Sequence, residues 1–431
     1  MTTAPAADLE RAPREHLAGL QLERLRGTVD RLLRAVAPAA ARLRAAGVTS
    51  AAGVGSLDDL PALPFAAKDD LREHYPFGLL AVAPEELARV HASSGTGGHP
   101  TIVGYTRGDL EVWTEVMARC LRMAGVRPGM LVHNAYGYGL FTGGLGFHQG
   151  AERLGATVVP VSGGLTARQI TLLRDLRPQV LCATPSYALN IAHALRQAGL
   201  GPDDLALEIG VFGAEPWTAG MGEALERELG LVALNMYGLS EVAGPGVAAE
   251  CPEAREGLHI QEDHFLPEVV DPDSGRPLPP GEEGELVLTT LTKEALPMLR
   301  YRTGDVAALL PGACPCGRTF VRMSPVRGRR DDMLVIRGVN LYPSEVERVL
   351  LGVAGVAPHW QLVVDRPGDL DELTVRCEPA PGAAAEGLVA RIRHELREET
   401  GLAMAVELLE PGGVPRSDGK AVRVVDRRPG C

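Results

Sequence analysis

Six consecutive residues at 93–98 combine three hydroxyl side chains with three glycines: Ser93, Ser94, Gly95, Thr96, Gly97 and Gly98. Glycines let a backbone turn its N–H groups toward an anion, and hydroxyls add further donors. The chemistry this suits is a grip on a polyphosphate. It is not a Walker A loop: no Gly-Lys-Ser/Thr ends it, and the run that follows, TIVGYT at 101–106, reads as a strand. Five more stretches follow in order: VFGAEPWT (211–218), NMYGLSE (235–241), YRTGD (301–305), GRRDDMLVIRGVN (328–340) and PRSDGK (415–420). Each is ordinary alone, since a Tyr-Gly pair is usually a turn and an isolated Lys is usually solvated. Their order is what carries information.

Taken together they resemble the acyl-adenylate-forming superfamily. LPFAAKDDLREHYPFGLL (63–80) and YGYGLFTGGLGFHQGAERLG (136–155) resemble its phenylacetate–CoA ligase branch. The resemblance implies that ATP and Mg²⁺ activate an aromatic acid, phenylacetate or a hydroxy- or aminobenzoate, to an acyl-AMP that CoA then takes as a thioester. It also admits a carrier protein as acceptor, or adenylyl transfer to a phenolic acceptor. The first step joins two anions, so charge at the α-phosphorus must be neutralised and the carboxylate aimed in line.

The matched positions imply the roles. Ser93, Ser94, Gly95, Thr96 and Gly97 would cradle the β- and γ-phosphates, Ser240 would donate to the α-phosphate, and Glu241 would hold Mg²⁺, a hard ligand for a hard ion. Tyr237 and Gly238 would face adenine, with Gly213, Ala214, Glu215 and Pro216 as the opposite wall. Asp305 would accept from the ribose hydroxyls beside Arg329. Lys420 would stabilise charge at the α-phosphate and carboxylate. Asp331 is the expected hinge, and Gly338 lies where a pantetheine arm would pass. The branch usually reads Ser-Ser-Gly-Thr-Thr-Gly-Lys-Pro-Thr in the first loop. Here Gly97 and His99 stand at the second Thr and the Lys, so weaker hold on pyrophosphate is expected.

Tyr136, Tyr138 and Phe141 stand amid glycines in a chain only 4% aromatic, and aromatic walls with glycine gaps suit a flat ring. Family position makes Tyr136, Phe141, Ala214 and Gly238 the expected acid pocket, with His148 and Gln149 able to meet ring substituents. Separately, Cys251, His259, Cys314 and Cys316 form a donor set suited to tetrahedral Zn²⁺, structural because four protein ligands leave no open position. His264 is an alternative ligand.

The elements that hold these residues follow from periodicity. Amphipathic helices are expected between Asp8 and Ala46. MLVHNAY, ATVVPV, QVLCAT, LEIGVFG and LVALNMYG read as strands alternating with helices GDLEVWTEVMARCLRMAG, TARQITLLRDL, SYALNIAHALRQAG and TAGMGEALERELG, the pattern of a parallel sheet covered by helices. Short strands with Pro and Gly turns from Gly257 to Arg327 suggest a small barrel-like antiparallel part, and an α+β tail follows. The expected class is α/β: a large N-terminal adenylating domain over 1–327 and a small mobile C-terminal domain over 328–431.

The net charge of −12 leaves no basic excess for nucleic acid. No apolar run approaches the roughly 20 residues that span a bilayer, and the N-terminus does not read as a signal peptide. Seven cysteines is an odd count for a disulfide framework. The expectation is a cytoplasmic protein with reduced thiols, and the family inclines it toward a homodimer.

Overall fold

The computed structural model describes residues 9–93, 100–367 and 370–428. Ser94, Gly95, Thr96, Gly97 and His99 therefore lie outside the described residues. The expected alternation produces one large sheet of nine strands among the described residues. From one edge inward Thr157–Val159, Leu131–Asn134, Val180–Ala183, Ile209–Gly213 and Val232–Leu239 lie side by side and parallel. Val180–Ala183 and Ile209–Gly213 are buried throughout, as strands covered by helices on both faces must be, which is why they read as unbroken apolar runs. Gly244–Glu250, Leu258–Ile260, Arg322–Met323 and Leu309–Leu310 extend the sheet antiparallel.

The helices start where hydroxyls accept their free N–H groups: Thr106 caps Arg107–Met123, Thr184 caps Pro185–Gln197, and Thr218 caps Ala219–Leu229. Sequence analysis missed the helix Gly143–Leu154, whose glycines argue against helix by about 1 kcal/mol each. Tertiary packing explains them. A Cβ on Gly146 would sit 2.7 Å from the Trp113 ring, and one on Gly150 2.5 Å from Met117 Cβ. The helix can lie this close to Arg107–Met123 because those side chains are absent.

The antiparallel part is a sheet of Phe265–Val270, Gly284–Thr290, Tyr301–Ala307 and Gly328–Arg329. Leu25, Val29 and Leu32 of the helix Arg14–Ala35 pack into one cluster with Leu266, Leu291 and Leu299. The C-terminal domain has its own core, including Ile336, Leu350, Leu362 and Ile392. Its helices Pro343–Gly352 and Leu388–Thr400 accompany a four-stranded sheet. Among the described residues no helix is long and apolar enough to cross a membrane.

Candidate active site

The motif residues converge at the carboxyl ends of the parallel strands, where ligands of open α/β sheets sit. Ser93 closes the strand Arg89–Ser93, and its Oγ donates to Glu241 Oε1 at 3.1 Å. Glu241 is 5% exposed and follows the strand Val232–Leu239. Ser240 Oγ lies 3.2 Å from Thr142 Oγ1. Among the described residues the second Glu241 oxygen has no hydrogen-bond partner. A hard carboxylate beside hydroxyls is a donor set that fits Mg²⁺.

Two residues that sequence analysis passed over hold this turn from beneath. Tyr105 OH lies 3.1 Å from both Ser240 O and Ala243 O. Lys293 Nζ donates to Val242 O at 3.0 Å and stands 4.1 Å from the Tyr105 ring centroid, a cation–π contact. Burial lowers the Lys293 pKa to about 8, against the opposing charges of Asp109 and Glu241. A lysine amid TLTKEALP offered no signal, because most lysines are solvated.

The segments expected to wall the nucleotide are built from backbone at close quarters. Gly213 pairs with Met236 across adjacent strands, and a Cβ on Gly213 would meet Met236 O at 2.0 Å. Ala214 follows at φ 72°, a left-handed conformation that non-glycine residues enter at a cost and that concentrates at functional sites. Gly238 sits at a bulge, where a Cβ would meet Gly244 O at 1.9 Å. Next to it, Tyr237 OH donates to Asp305 Oδ2 at 2.6 Å, and Asp305 stands opposite Arg329 in the sheet.

Burial pushes the Asp305 carboxyl up to about 6, although Tyr237 and Arg329 favour its ionised form. An ionised carboxylate can accept from two ribose hydroxyls, whereas the protonated acid turns one oxygen into a donor. With the ribose role that the resemblance implies for Asp305, the KM for ATP is expected to rise as pH falls through about 6. Asp305→Asn should hold KM high without that pH step. A wild-type KM flat from pH 7 to 5 would remove Asp305 from ribose binding.

The Lys420 loop docks against the N-terminal domain. Thr184 Oγ1 donates to Gly419 O at 2.9 Å, and Ala421 N–H donates to Glu215 Oε2 at 3.0 Å. Lys420 is open to solvent at its surface yet ringed by protein. That enclosure lowers its pKa, while Glu215, Asp305 and Asp332 oppose the shift. The Glu215 side chain points to Ser186 and Ala421, so any share it takes in the adenine wall is through its backbone. Arg329 is bonded to Asp331 at 3.0 and 3.3 Å. Gly338 forms a two-residue hairpin turn with Arg337, at φ 81° and 51°.

The expected acid-pocket residues fall in different surroundings. Tyr136 is buried and stacked on Phe147 at 4.6 Å between centroids, while Phe141 is 56% exposed. His148 bridges Tyr138 OH and Glu152, at 3.1 Å to each.

Cys251, His259, Cys314 and Cys316 come together with their ligand atoms within 4.8 Å of one another. Cys251 Sγ is 3.6 Å from Cys314 Sγ, and Cys316 Sγ is 3.4 Å from His259 Nε2. A tetrahedron with about 2.3 Å metal–sulfur bonds has edges near these lengths. His259 Nδ1 must donate to Phe320 O, 3.0 Å away, which leaves Nε2 as an acceptor toward the cluster. His264 is not in this group; it bonds Thr292 and Asp263.

The AMP-binding enzyme family model matches residues 28–291, and the AMP-binding enzyme C-terminal domain model matches 338–428. The chain is 54% identical to a phenylacetate-coenzyme A ligase of Thermus thermophilus, over 98% of this chain and 99% of that one. It is 48% identical to the enzyme of that name from Escherichia coli, over 99% of each. Among solved structures it is similar to 2-hydroxyisobutyryl-CoA ligase, 31% identical over 99% of this chain and 94% of that one. In the postadenylation state the TM-score is 0.91; in the thioesterification state, with the same identity and coverage, it is 0.74. The carboxyl ends of the parallel strands thus gather the matched motifs, and the likeness runs through nearly the whole length: the chain belongs to the AMP-binding enzyme family, with the phenylacetate-coenzyme A ligases.

Proposed function

We propose that this protein activates an aromatic acid, phenylacetate foremost, with ATP to an acyl-AMP and passes the acyl group to CoA, releasing AMP and pyrophosphate. The supporting observation is the convergence of the Ser93–Glu241 pair, the Tyr237–Asp305–Arg329 group and the docked Lys420 loop at the carboxyl ends of the parallel strands. Asp305 holds the ribose, and the Gly213–Pro216 backbone and the Tyr237 ring enclose adenine. Ser240 donates to the α-phosphate. Lys420 offsets charge that builds at the α-phosphorus as the carboxylate attacks. Mg²⁺ held by Glu241 would screen the phosphate charges. Tyr136 and Phe141 bound the ring end of the acid, Tyr136 from within the core and Phe141 from the mouth. The relatives matched over nearly the whole chain are named as CoA ligases, which favours CoA over a carrier protein or a phenolic acceptor.

The domain border lies at 327/328 with Asp331 as the hinge in this reading, and the docked arrangement serves adenylation. The free buried thiols of Cys120, Cys182 and Cys377 suit a reducing, cytoplasmic setting. The test is acid-dependent pyrophosphate exchange across aryl acids, followed by thioester formation with and without CoA. Exchange with phenylacetate and a CoA-dependent thioester are expected; AMP retained on an acceptor, or no acid-dependent exchange, would refute the reading.

A structural Zn²⁺ belongs to the same reading. Protein purified without a His-tag is expected to carry about one zinc per chain. Cys314→Ser should lose it and lower Tm by on the order of 5–10 °C, with activity per folded molecule retained. Metal-free protein with unaltered melting would dismiss the site.

A further inference from the structure

The Glu215 carboxylate makes contacts that neither phosphate binding nor acid binding calls for. Its Oε1 accepts the Ser186 N–H at 2.7 Å, and its Oε2 accepts the Ala421 N–H at 3.0 Å. Ser186 lies in the first turn of the helix Pro185–Gln197, where free N–H groups and the helix dipole hold an anion well. Ala421 directly follows Lys420. One oxygen is therefore anchored in the N-terminal domain, and the other grips the backbone that carries the lysine. Neighbouring contacts cross the same border: Thr218 N and Oγ1 donate to Glu347 Oε1 at 3.2 and 3.0 Å, and Arg423 Nη2 donates to Ser186 Oγ at 3.4 Å.

We propose that Glu215 is a positioning residue, a latch that holds the Lys420 loop in the adenylation arrangement and releases it for thioester formation. This rests on the acyl-adenylate reading given above. The docked arrangement matches 2-hydroxyisobutyryl-CoA ligase better in its postadenylation than in its thioesterification state, at TM-scores of 0.91 and 0.74. A contact shifts an equilibrium between two arrangements only if it differs between them. The Ser186 bond is internal to the N-terminal domain and persists in both. The Ala421 bond crosses the border and exists only while the loop is docked. A carboxylate suits this task because it accepts on both oxygens at once. A carboxamide of the same shape accepts on one and presents N–H donors on the other, so either Ser186 or Ala421 loses its partner.

The experiment compares Glu215→Gln with the parent and with Lys420→Met in the full chain. Two half-reactions are measured on each preparation: phenylacetate-dependent pyrophosphate exchange, and thioester formation from chemically prepared phenylacetyl-AMP and CoA. Loss of one charge-assisted bond should lower exchange in Glu215→Gln about 10- to 100-fold, while the thioester step is spared. Glu215→Asp, which keeps both acceptors, should recover part of the exchange rate. Equal loss of both half-reactions, loss confined to the thioester step, or no loss in either overturns the latch. If Lys420→Met itself keeps full exchange, the adenylation reading of that lysine falls first. If Lys420→Met loses exchange and Glu215→Gln does not, the latch alone falls.

Discussion

Pyrophosphate exchange by the Lys420→Met variant is expected to fall about 10²–10³-fold, the range seen when one preorganised donor to a developing oxyanion is removed. Methionine keeps most of the unbranched stem of lysine and drops the ammonium group, so the charge is the main change. The loop itself is held by other groups: Thr184 bonds Gly419 O, and Glu215 bonds the Ala421 N–H. Melting should therefore stay close to the parent. The lysine already sits below its ordinary pKa because protein encloses it. Its charged form is lost as pH rises, so the alkaline decline of exchange should begin below the usual lysine range and vanish in the variant. Thioester formation from supplied acyl-AMP should continue. A variant that exchanges at the parental rate would remove Lys420 from the adenylation chemistry.

Glu241→Gln is the second large effect. The carboxamide oxygen can still accept from Ser93 Oγ, which bonds Glu241 Oε1 at 3.1 Å, and the turn stays held by Tyr105 and Lys293. Packing is preserved while one negative charge is lost. A metal ligand matters at least as much as groups that merely orient ligands, whose loss costs 10–100-fold in affinity. The Mg²⁺ concentration for half-maximal exchange should rise on the order of 10²-fold. Calorimetric titration of Mg²⁺ with a non-hydrolysable ATP analogue checks this independently of turnover. Unaltered Mg²⁺ dependence would mean that the ion is held elsewhere. The same substitution takes a favourable negative charge away from the buried Lys293, whose pKa Glu241 raises, so that pKa should fall further.

Much of this protein could be read along the chain. The central strands were legible because a strand buried on both faces is a short unbroken apolar run, as in Val180–Ala183. The motifs at 211–218, 235–241, 301–305 and 415–420 were legible because each needs particular residue types at contiguous positions. The Cys251, His259, Cys314 and Cys316 donor set was legible from ligand chemistry together with the resemblance of its CPCGR turn to zinc knuckles. Other features exist only in three dimensions. The helix Gly143–Leu154 gave no helical signal because of its glycines, which the closeness of Trp113 and Met117 explains. Tyr105 and Lys293 carry no local signature, since their role is to reach carbonyls 135 and 51 positions away. Glu215 sits within a recognisable motif, yet its carboxylate serves a backbone N–H 206 residues on. Residue type and local order are encoded one position at a time. Which buried donor meets which acceptor depends on how separate elements stack, and that emerged only once the chain was folded.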